Sequence, residues 1–119
     1  MKIALTTQGS DLDAEMDPRF GRARYILIVD SEDGSVQVMN NADNKGAMGG
    51  AGIQAGKALA DRKVQVLLTG HCGPNAFRTL EAAGIKVGTS QTGKAKDALA
   101  RLSSNQVEFA ARPNVEGHW

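Results

Sequence analysis

The chain has 119 residues, of which 41% are hydrophobic and 23% charged, a composition typical of one globular domain. Fourteen basic and 13 acidic residues leave a formal net charge of +1, which argues against a nucleic-acid-binding protein with a strongly basic face. The single cysteine excludes an internal disulfide and a zinc site built only from cysteines. No signal-peptide core or bilayer-length apolar span is present, so we expect a cytoplasmic protein without membrane contact.

The first third of the chain predicts a strand, a long loop and a hairpin. Lys2 to Thr7 has the pattern of a strand, and a polar loop extends from there to about Gly21. A loop of this length is a candidate wall of a site, because long loops in compact domains are usually functional or disordered. The apolar stretch Tyr25 to Asp30 predicts a central strand, and the turn Ser31 to Gly34 joins it to a second strand, Ser35 to Asn40.

The remainder predicts alternating helices and strands after a loop rich in glycine and asparagine. The expected elements are a helix from about Gly52 to Ala60, a strand from Val64 to Leu68, a helix from Pro74 to Ala83, a strand from Ile85 to Val87, and a last helix capped by Thr92 with Ala95, Ala98, Leu99 and Leu102 inward. We therefore expect an α/β domain over residues 1–107, with a mixed five-stranded sheet flanked by helices. Residues 108–119 form a tail from which Phe109 and Trp119 can dock on the core.

The order of these elements also predicts where a ligand binds. In α/β sheets, ligands bind beyond the carboxyl ends of the parallel strands. Here those ends lead into three loops, which are Thr7 to Gly21, Gly70 to Gly73, and Gly88 to Gly93.

Two segments nearly match phosphate-binding motifs. "GAGIQA", Gly50 to Ala55, fits the dinucleotide pattern but does not directly follow a strand and lacks the later acidic residue, so close helix packing is the better interpretation. "GTSQTGKA", Gly88 to Ala95, resembles a P-loop but has an alanine where magnesium needs a hydroxyl. We interpret it as a strand-to-helix turn that can contact an anion, and a nucleotide-binding regulatory domain stays an alternative.

The segment "TGHCGPN", Thr69 to Asn75, contains the only cysteine. Gly70 and Gly73 permit a sharp turn, and the amides of the following helix favour an anion and lower the pKa of a thiol. Cys72 is therefore a candidate thiolate nucleophile, a soft metal ligand together with His71, or a small apolar core residue. Zinc is disfavoured because no second pair of ligands has suitable spacing, whereas copper(I) or a sulfide-wrapped metal needs fewer protein ligands.

Five features support a family resemblance that spans Lys2 to Leu102. They are "MKIAL", "FGRARYILIVD", "GAGIQAGKALADRKVQVLLTG", the Gly73–Pro74 turn and "AAGIKV". Together they resemble the dinitrogenase iron-molybdenum cofactor-binding proteins, nitrogenase accessory domains with a ribonuclease H-like fold. The resemblance implies a protein that is not an enzyme and carries a preassembled, anionic metal-sulfur cluster non-covalently, in exchange with a protein donor or acceptor. Nuclease activity is not expected, because the first strand lacks the carboxylate that such nucleases use to hold magnesium.

Two departures from the family pattern point to one of its branches. Many members have histidines in the glycine-rich loop, where this chain has Met48, and many lack the His71–Cys72 pair. The combination resembles the orange proteins of anaerobes, which bind a mixed molybdenum-copper sulfide cluster. The implied cofactor is a molybdenum-sulfur cluster, with or without copper. The residues expected around it are Arg22, Met48, Gly70, His71, Cys72, Gly73, Thr92 and Gly93, with His71 and Cys72 as candidate metal ligands. A thiol-dependent redox enzyme using Cys72 stays an alternative.

Overall fold

The structure is a computed structural model that describes residues 1–41 and 50–113. Within these ranges five strands form one sheet in the order β3-β2-β1-β4-β5. The elements are β1 (Lys2–Thr7), β2 (Tyr25–Asp30), β3 (Val36–Asn40), α1 (Ala51–Asp61), β4 (Val66–Leu68), α2 (Pro74–Ala82), β5 (Lys86–Gly88) and α3 (Ala95–Ser103).

The central strand β1 joins an antiparallel half of the sheet to a parallel half. Leu5 of β1 lies opposite Leu27 of antiparallel β2 and opposite Leu68 of parallel β4. β3 pairs antiparallel with β2, and β5 pairs parallel with β4. Four strands therefore point one way and β2 points the other, which confirms the predicted mixed five-stranded sheet flanked by helices.

Successive residues of β1 point to opposite faces of the sheet, so the core has two parts. Ala4 belongs to a buried cluster shared with α1 and α2, which includes Leu59 and Leu80. Ile3 and Leu5 belong to a second cluster, on the face covered by α3. The protein therefore has three layers, with α1 and α2 on one side of the sheet and α3 on the other.

Three strands begin later than the sequence predicts: β3 begins at Val36 instead of Ser35, and β4 and β5 begin late for a shared physical reason. Val64 and Ile85 are both buried, but each amide donates a hydrogen bond back to the preceding helix, to Leu59 O (3.1 Å) and Leu80 O (3.0 Å) respectively. An amide used to end a helix cannot join the sheet ladder. The apolar runs therefore predicted burial correctly and strand pairing one or two residues too early.

The prediction that Thr92 caps α3 is wrong. The helix is preceded by Lys94 in an extended conformation, and none of the described side chains caps it. Instead, the amides of Ala95 and Lys96 donate to the carbonyl oxygens of Ala14 and Leu12, each at 2.9 Å. The long loop after β1 thus takes the place of a capping side chain.

The segment after α3 contacts the outer edge of β5. Phe109 forms an isolated antiparallel bridge with Gly88, and the amide of Ala110 donates to Val87 O at 2.7 Å. The ammonium of Lys86 lies 5.4 Å from the centre of the Phe109 ring. Trp119, the other residue predicted to dock, lies outside the described residues. In the parts of the chain that the structure describes, no helix combines the length and apolarity that crossing a membrane requires.

Candidate functional site

The candidate site lies at the carboxyl edge of the parallel strands. β1 ends there at Thr7, β4 at Leu68 and β5 at Gly88. Because α1 and α2 each lead back into a parallel strand, their amino termini also point to this edge. Helix amino termini carry a partial positive charge and unpaired amides, so this edge is electrostatically suited to an anion.

The long loop between β1 and β2 crosses this edge from one face of the sheet to the other. Met16 packs in the cluster under α3, and its amide donates to Gly93 O at 2.8 Å. Phe20 packs in the opposite cluster, and its amide donates to His71 O at 3.2 Å. The segment between Met16 and Phe20 therefore divides the edge into an α3 side and an α1/α2 side.

Buried hydrogen bonds hold this crossing segment against β4. The Thr6 hydroxyl donates to Asp17 O at 2.8 Å and lies 2.8 Å from the Thr69 hydroxyl, so Thr69 donates to Thr6. Both threonine side chains are fully buried. The amide of His71 donates to Pro18 O at 2.6 Å. Because buried hydroxyls are costly to leave unpaired, this network fixes the position of the loop.

The three arginines next to this segment have different surroundings. Arg19 pairs with the buried carboxylate of Asp17, with Nε 3.5 Å from Oδ1, and Arg24 lies 5.5 Å from the centre of the Tyr25 ring. Arg22 is exposed, and within residues 1–41 and 50–113 its side chain makes no hydrogen bond, ion pair or ring contact. Of the three, Arg22 is therefore the one whose guanidinium can engage a ligand without losing a partner.

The main chain beside Arg22 lies against the start of α1. Gly21 has a φ of +79°, and a Cβ at this position would lie 2.7 Å from both the amide nitrogen and the Cα of Gly52. Only glycine allows this approach. The Arg22 segment and the positive end of α1 are thus adjacent.

Helix α2 contributes a further arginine, Arg78, which the sequence pattern did not indicate. The Arg78 guanidinium donates to Asn75 Oδ1 (3.1 Å) and lies 3.5 Å from Pro74 O. Residues three and four apart share a helix face, so the spacing of Asn75 and Arg78 was the signal that could have indicated this contact. Arg78 is exposed and adds positive charge close to the start of α2.

The structure brings together some of the residues expected around the cluster and separates others. Arg22 and the segment Gly70 to Gly73 lie on the α1/α2 side, connected through the Phe20 to His71 hydrogen bond. Thr92 and Gly93 lie on the α3 side, where their carbonyl oxygens accept hydrogen bonds from Arg101 and Met16, each at 2.8 Å. Met48 lies outside the described residues.

Of the three interpretations of Cys72, the structure favours the small apolar core residue. It is fully buried in the cluster that contains Phe20 and Phe77, and its Sγ lies 3.8 Å from Gly73 O. Burial raises the pKa of the Cys72 thiol to about 12, because an apolar environment disfavours the charged thiolate. Burial of the protonated thiol therefore disfavours a nucleophilic role for Cys72.

His71 is exposed next to the buried cysteine, and its backbone bonds anchor the crossing segment. Among the described residues, no three His, Cys, Asp or Glu side chains converge as they would around a protein-ligated metal ion. Residues 1–41 and 50–113 thus do not supply the closed ligand set of a structural metal site. Direct ligation by His71 and Cys72 stays a prediction.

We expect Cys72 to resist alkylation in the folded protein. Iodoacetamide at pH 8 should modify the native thiol at least about a hundredfold more slowly than the thiol of the denatured chain, because the reagent attacks the thiolate. The same burial makes the folded protein less stable relative to the denatured chain as the pH rises from 9.0 towards 12, because the denatured chain then releases the thiol proton more readily. Mass spectrometry over time would measure the rate of alkylation. If the pH dependence of that rate in the folded protein has a midpoint below pH 9.0, the thiol is not buried as described.

A family model described as "Dinitrogenase iron-molybdenum cofactor" matches residues 1–105 of the chain. The chain belongs to this family. Membership in the dinitrogenase iron-molybdenum cofactor family confirms the resemblance noted in the sequence and places the protein among proteins that bind metal clusters. An uncharacterised relative from Methanocaldococcus jannaschii is 26% identical over 111 residues, which cover 91% of this chain and 90% of the relative.

Solved structures of other proteins support the same assignment. The apo form of the orange protein from Desulfovibrio gigas is 43% identical, covers 96% of both chains and superposes with a TM-score of 0.93. A Thermotoga protein of the DUF35 family, determined by NMR, is 33% identical over 98% of both chains, with a TM-score of 0.81. These similarities confirm the predicted architecture of this member of the dinitrogenase iron-molybdenum cofactor family.

Proposed function

We propose that this protein binds and carries an anionic molybdenum-sulfur cluster non-covalently, with copper as a second metal of the cluster. The observation that carries the proposal is the family match over residues 1–105. The choice of molybdenum and copper follows from the resemblance to the orange proteins, one of which is 43% identical to this chain. Residues 1–107 would form the cluster-binding domain, and a protein donor or acceptor would exchange the cluster with it.

The chemistry of the α1/α2 side supports an anionic ligand. A metal already surrounded by sulfide needs few protein ligands, but its negative charge needs nearby positive charge and hydrogen-bond donors. Arg22 supplies an exposed guanidinium, and the start of α1 lies directly beside it at Gly52. The turn from Gly70 to Gly73 lies on the same side and leads into α2. The proposal therefore centres on this side of the edge and leaves out Thr92 and Gly93.

The buried cysteine supports carriage without a covalent bond to the protein. With a pKa of about 12, the Cys72 thiol keeps its proton at neutral pH and offers only a weak S–H donor. In this conformation Cys72 is a wall of the site, and exposed His71 is the soft side chain nearest to it in sequence. Met48, which lies outside the described residues, is the third soft neighbour in the proposal.

Reconstitution tests the proposed function. We expect the purified protein to retain stoichiometric molybdenum when it is incubated with tetrathiomolybdate and copper and then desalted, with new visible absorption bands. Arg22→Ala should raise the dissociation constant about tenfold, since hydrogen bonds to charged groups are each worth about 1.5 to 3 kcal/mol. Higher salt should also weaken binding, because exposed charges are screened.

Arg24→Ala is the matched control for this experiment. Arg24 is exposed two positions from Arg22 but stacks on Tyr25, so its loss should change retention less than twofold, as is usual for a surface charge. A wild-type protein that releases all molybdenum on desalting would refute the proposed function. Equal effects of Arg22→Ala and Arg24→Ala would refute the specific role of Arg22.

The two alternative functions are disfavoured by particular contacts. A redox enzyme based on Cys72 needs an accessible thiolate, and the thiol is buried and protonated. A nucleotide site at the start of α3 needs unpaired amides, and those of Ala95 and Lys96 already donate to the loop after β1. We therefore expect no thermal stabilisation by excess ATP with magnesium.

A further inference from the structure

Asn41 is a fully buried polar residue that the proposed function has not used. It directly follows β3, and its side-chain amide donates to Gly21 O at 3.1 Å and to Ala23 O at 2.8 Å. Its backbone amide donates to Arg24 O at 3.1 Å. One residue therefore holds three carbonyl groups of the segment that contains Arg22.

These hydrogen bonds frame Arg22 from both sides. Gly21 and Ala23 are buried, whereas Arg22 between them is exposed. The amide of Arg22 donates to Phe20 O at 2.7 Å, which further restricts its main chain. The guanidinium is thus carried by a backbone fixed at the residue before it and the residue after it.

The same contacts connect Arg22 to the start of α1. Gly21, one of the residues held by Asn41, approaches Gly52 so closely that a Cβ would lie 2.7 Å from its amide nitrogen. Without the Asn41 side chain, two buried carbonyl oxygens would lose their donor, and the segment would gain freedom to move away from the helix. The distance between the Arg22 charge and the positive end of α1 therefore depends on Asn41.

We propose that Asn41 is a positioning residue that sets Arg22 beside the amino terminus of α1 for binding of the anionic cluster. This inference rests on the proposed function and assigns to Asn41 no direct contact with the cluster. Precise placement of a charged group contributes to binding because less freedom is lost when the ligand arrives. Asn41 would act only through Arg22.

A double-mutant cycle tests this dependence. Tetrathiomolybdate with copper is titrated into the wild-type protein, Asn41→Ala, Arg22→Ala and the double variant, and the dissociation constants are measured by visible absorption. We expect Asn41→Ala to weaken binding about tenfold in the wild-type background and less than about twofold when Arg22 is already alanine, because residues that act together are not additive. Additive effects would overturn the proposal.

Thr6→Val is the structural control for the cycle. Thr6 is also fully buried and also holds the loop through its side chain, but it bonds to Asp17 and Thr69 and not to the residues flanking Arg22. Its effect on binding should add to that of Arg22→Ala, even where its effect on thermal stability equals that of Asn41→Ala. Should Asn41→Ala fail to fold, Asn41→Ser, which keeps one donor, enters the same cycle.

Amide exchange in the ligand-free protein separates failure of this inference from failure of the proposed function. Asn41→Ala should speed hydrogen exchange of the amides of residues 20–24 about tenfold relative to Thr6→Val, since a local opening follows the loss of about one hydrogen bond. Unchanged exchange would overturn the inference even if the cluster binds. Loss of molybdenum by the wild-type protein would refute the proposed function, and with it the binding role of Asn41.

Discussion

Gly70→Ala is expected to destabilise the protein by about 2 to 3 kcal/mol, because it forces a methyl group into closely packed backbone. A Cβ at Gly70 would lie 2.6 Å from Pro18 Cα and 2.7 Å from Pro18 O. Neither atom belongs to a flexible side chain that can turn away, so the crossing segment itself must move. Urea denaturation would measure the free energy of unfolding, and reconstitution would show a parallel loss of cluster retention.

Gly34→Ala is the control for this prediction. Gly34 has a φ of +74° but lies in a turn where an added Cβ meets nothing within 4 Å. Gly34→Ala should lower the free energy of unfolding by about 1 kcal/mol, the strain of a left-handed residue, and leave cluster retention unchanged. A Gly70→Ala protein as stable as Gly34→Ala would show that the crossing segment is not packed on the turn as described.

Phe20→Ala is expected to cost about 3 to 5 kcal/mol of unfolding free energy, the usual range for a buried aromatic residue. Phe20 is fully buried and packs in the same cluster as Cys72. Its removal should also admit water beside the thiol, so that the pKa of Cys72 falls from about 12 and alkylation accelerates. Calorimetry and the alkylation rate would measure the two effects.

Phe109→Ala provides the matched control, because this phenylalanine is 40% exposed at the edge of β5. It should cost roughly 1 kcal/mol, as expected for partial burial, and leave Cys72 alkylation unchanged. If Phe20→Ala loses stability without any acceleration of alkylation, Phe20 does not shield Cys72.

The sequence predicted the fold well where one local pattern determined the structure. The bounds of β1 and β2 agree with the prediction at every residue, because each strand has an apolar stretch that leads into a polar turn or loop. Val64 and Ile85 show the limit of this reasoning. Both are buried as predicted, but whether an amide bonds to a helix or to a neighbouring strand depends on three-dimensional position that apolarity alone does not encode.

The candidate site was less predictable, because contacts between distant segments determine it. The edge and its three loops followed from the order of the elements. The raised pKa of Cys72 depends on burial in a cluster with Phe20, and the closure of the α3 terminus depends on Leu12 and Ala14. Neither contact has a local signature. The sequence places Asn41 at the start of the loop rich in glycine and asparagine, and no local pattern indicates that its side chain bonds to the residues flanking Arg22.

The occupied amides at the start of α3 have a consequence for ligand selection. A cell contains many phosphate metabolites that compete for any open helix terminus, and a strand-to-helix turn such as Gly88 to Ala95 is the kind of place where they bind. The amides of Ala95 and Lys96 already donate to backbone carbonyls, so these two amides are not available to bind phosphate groups. If the proposed function holds, selection among anions would therefore fall to the α1/α2 side of the edge, where Arg22 lies beside α1.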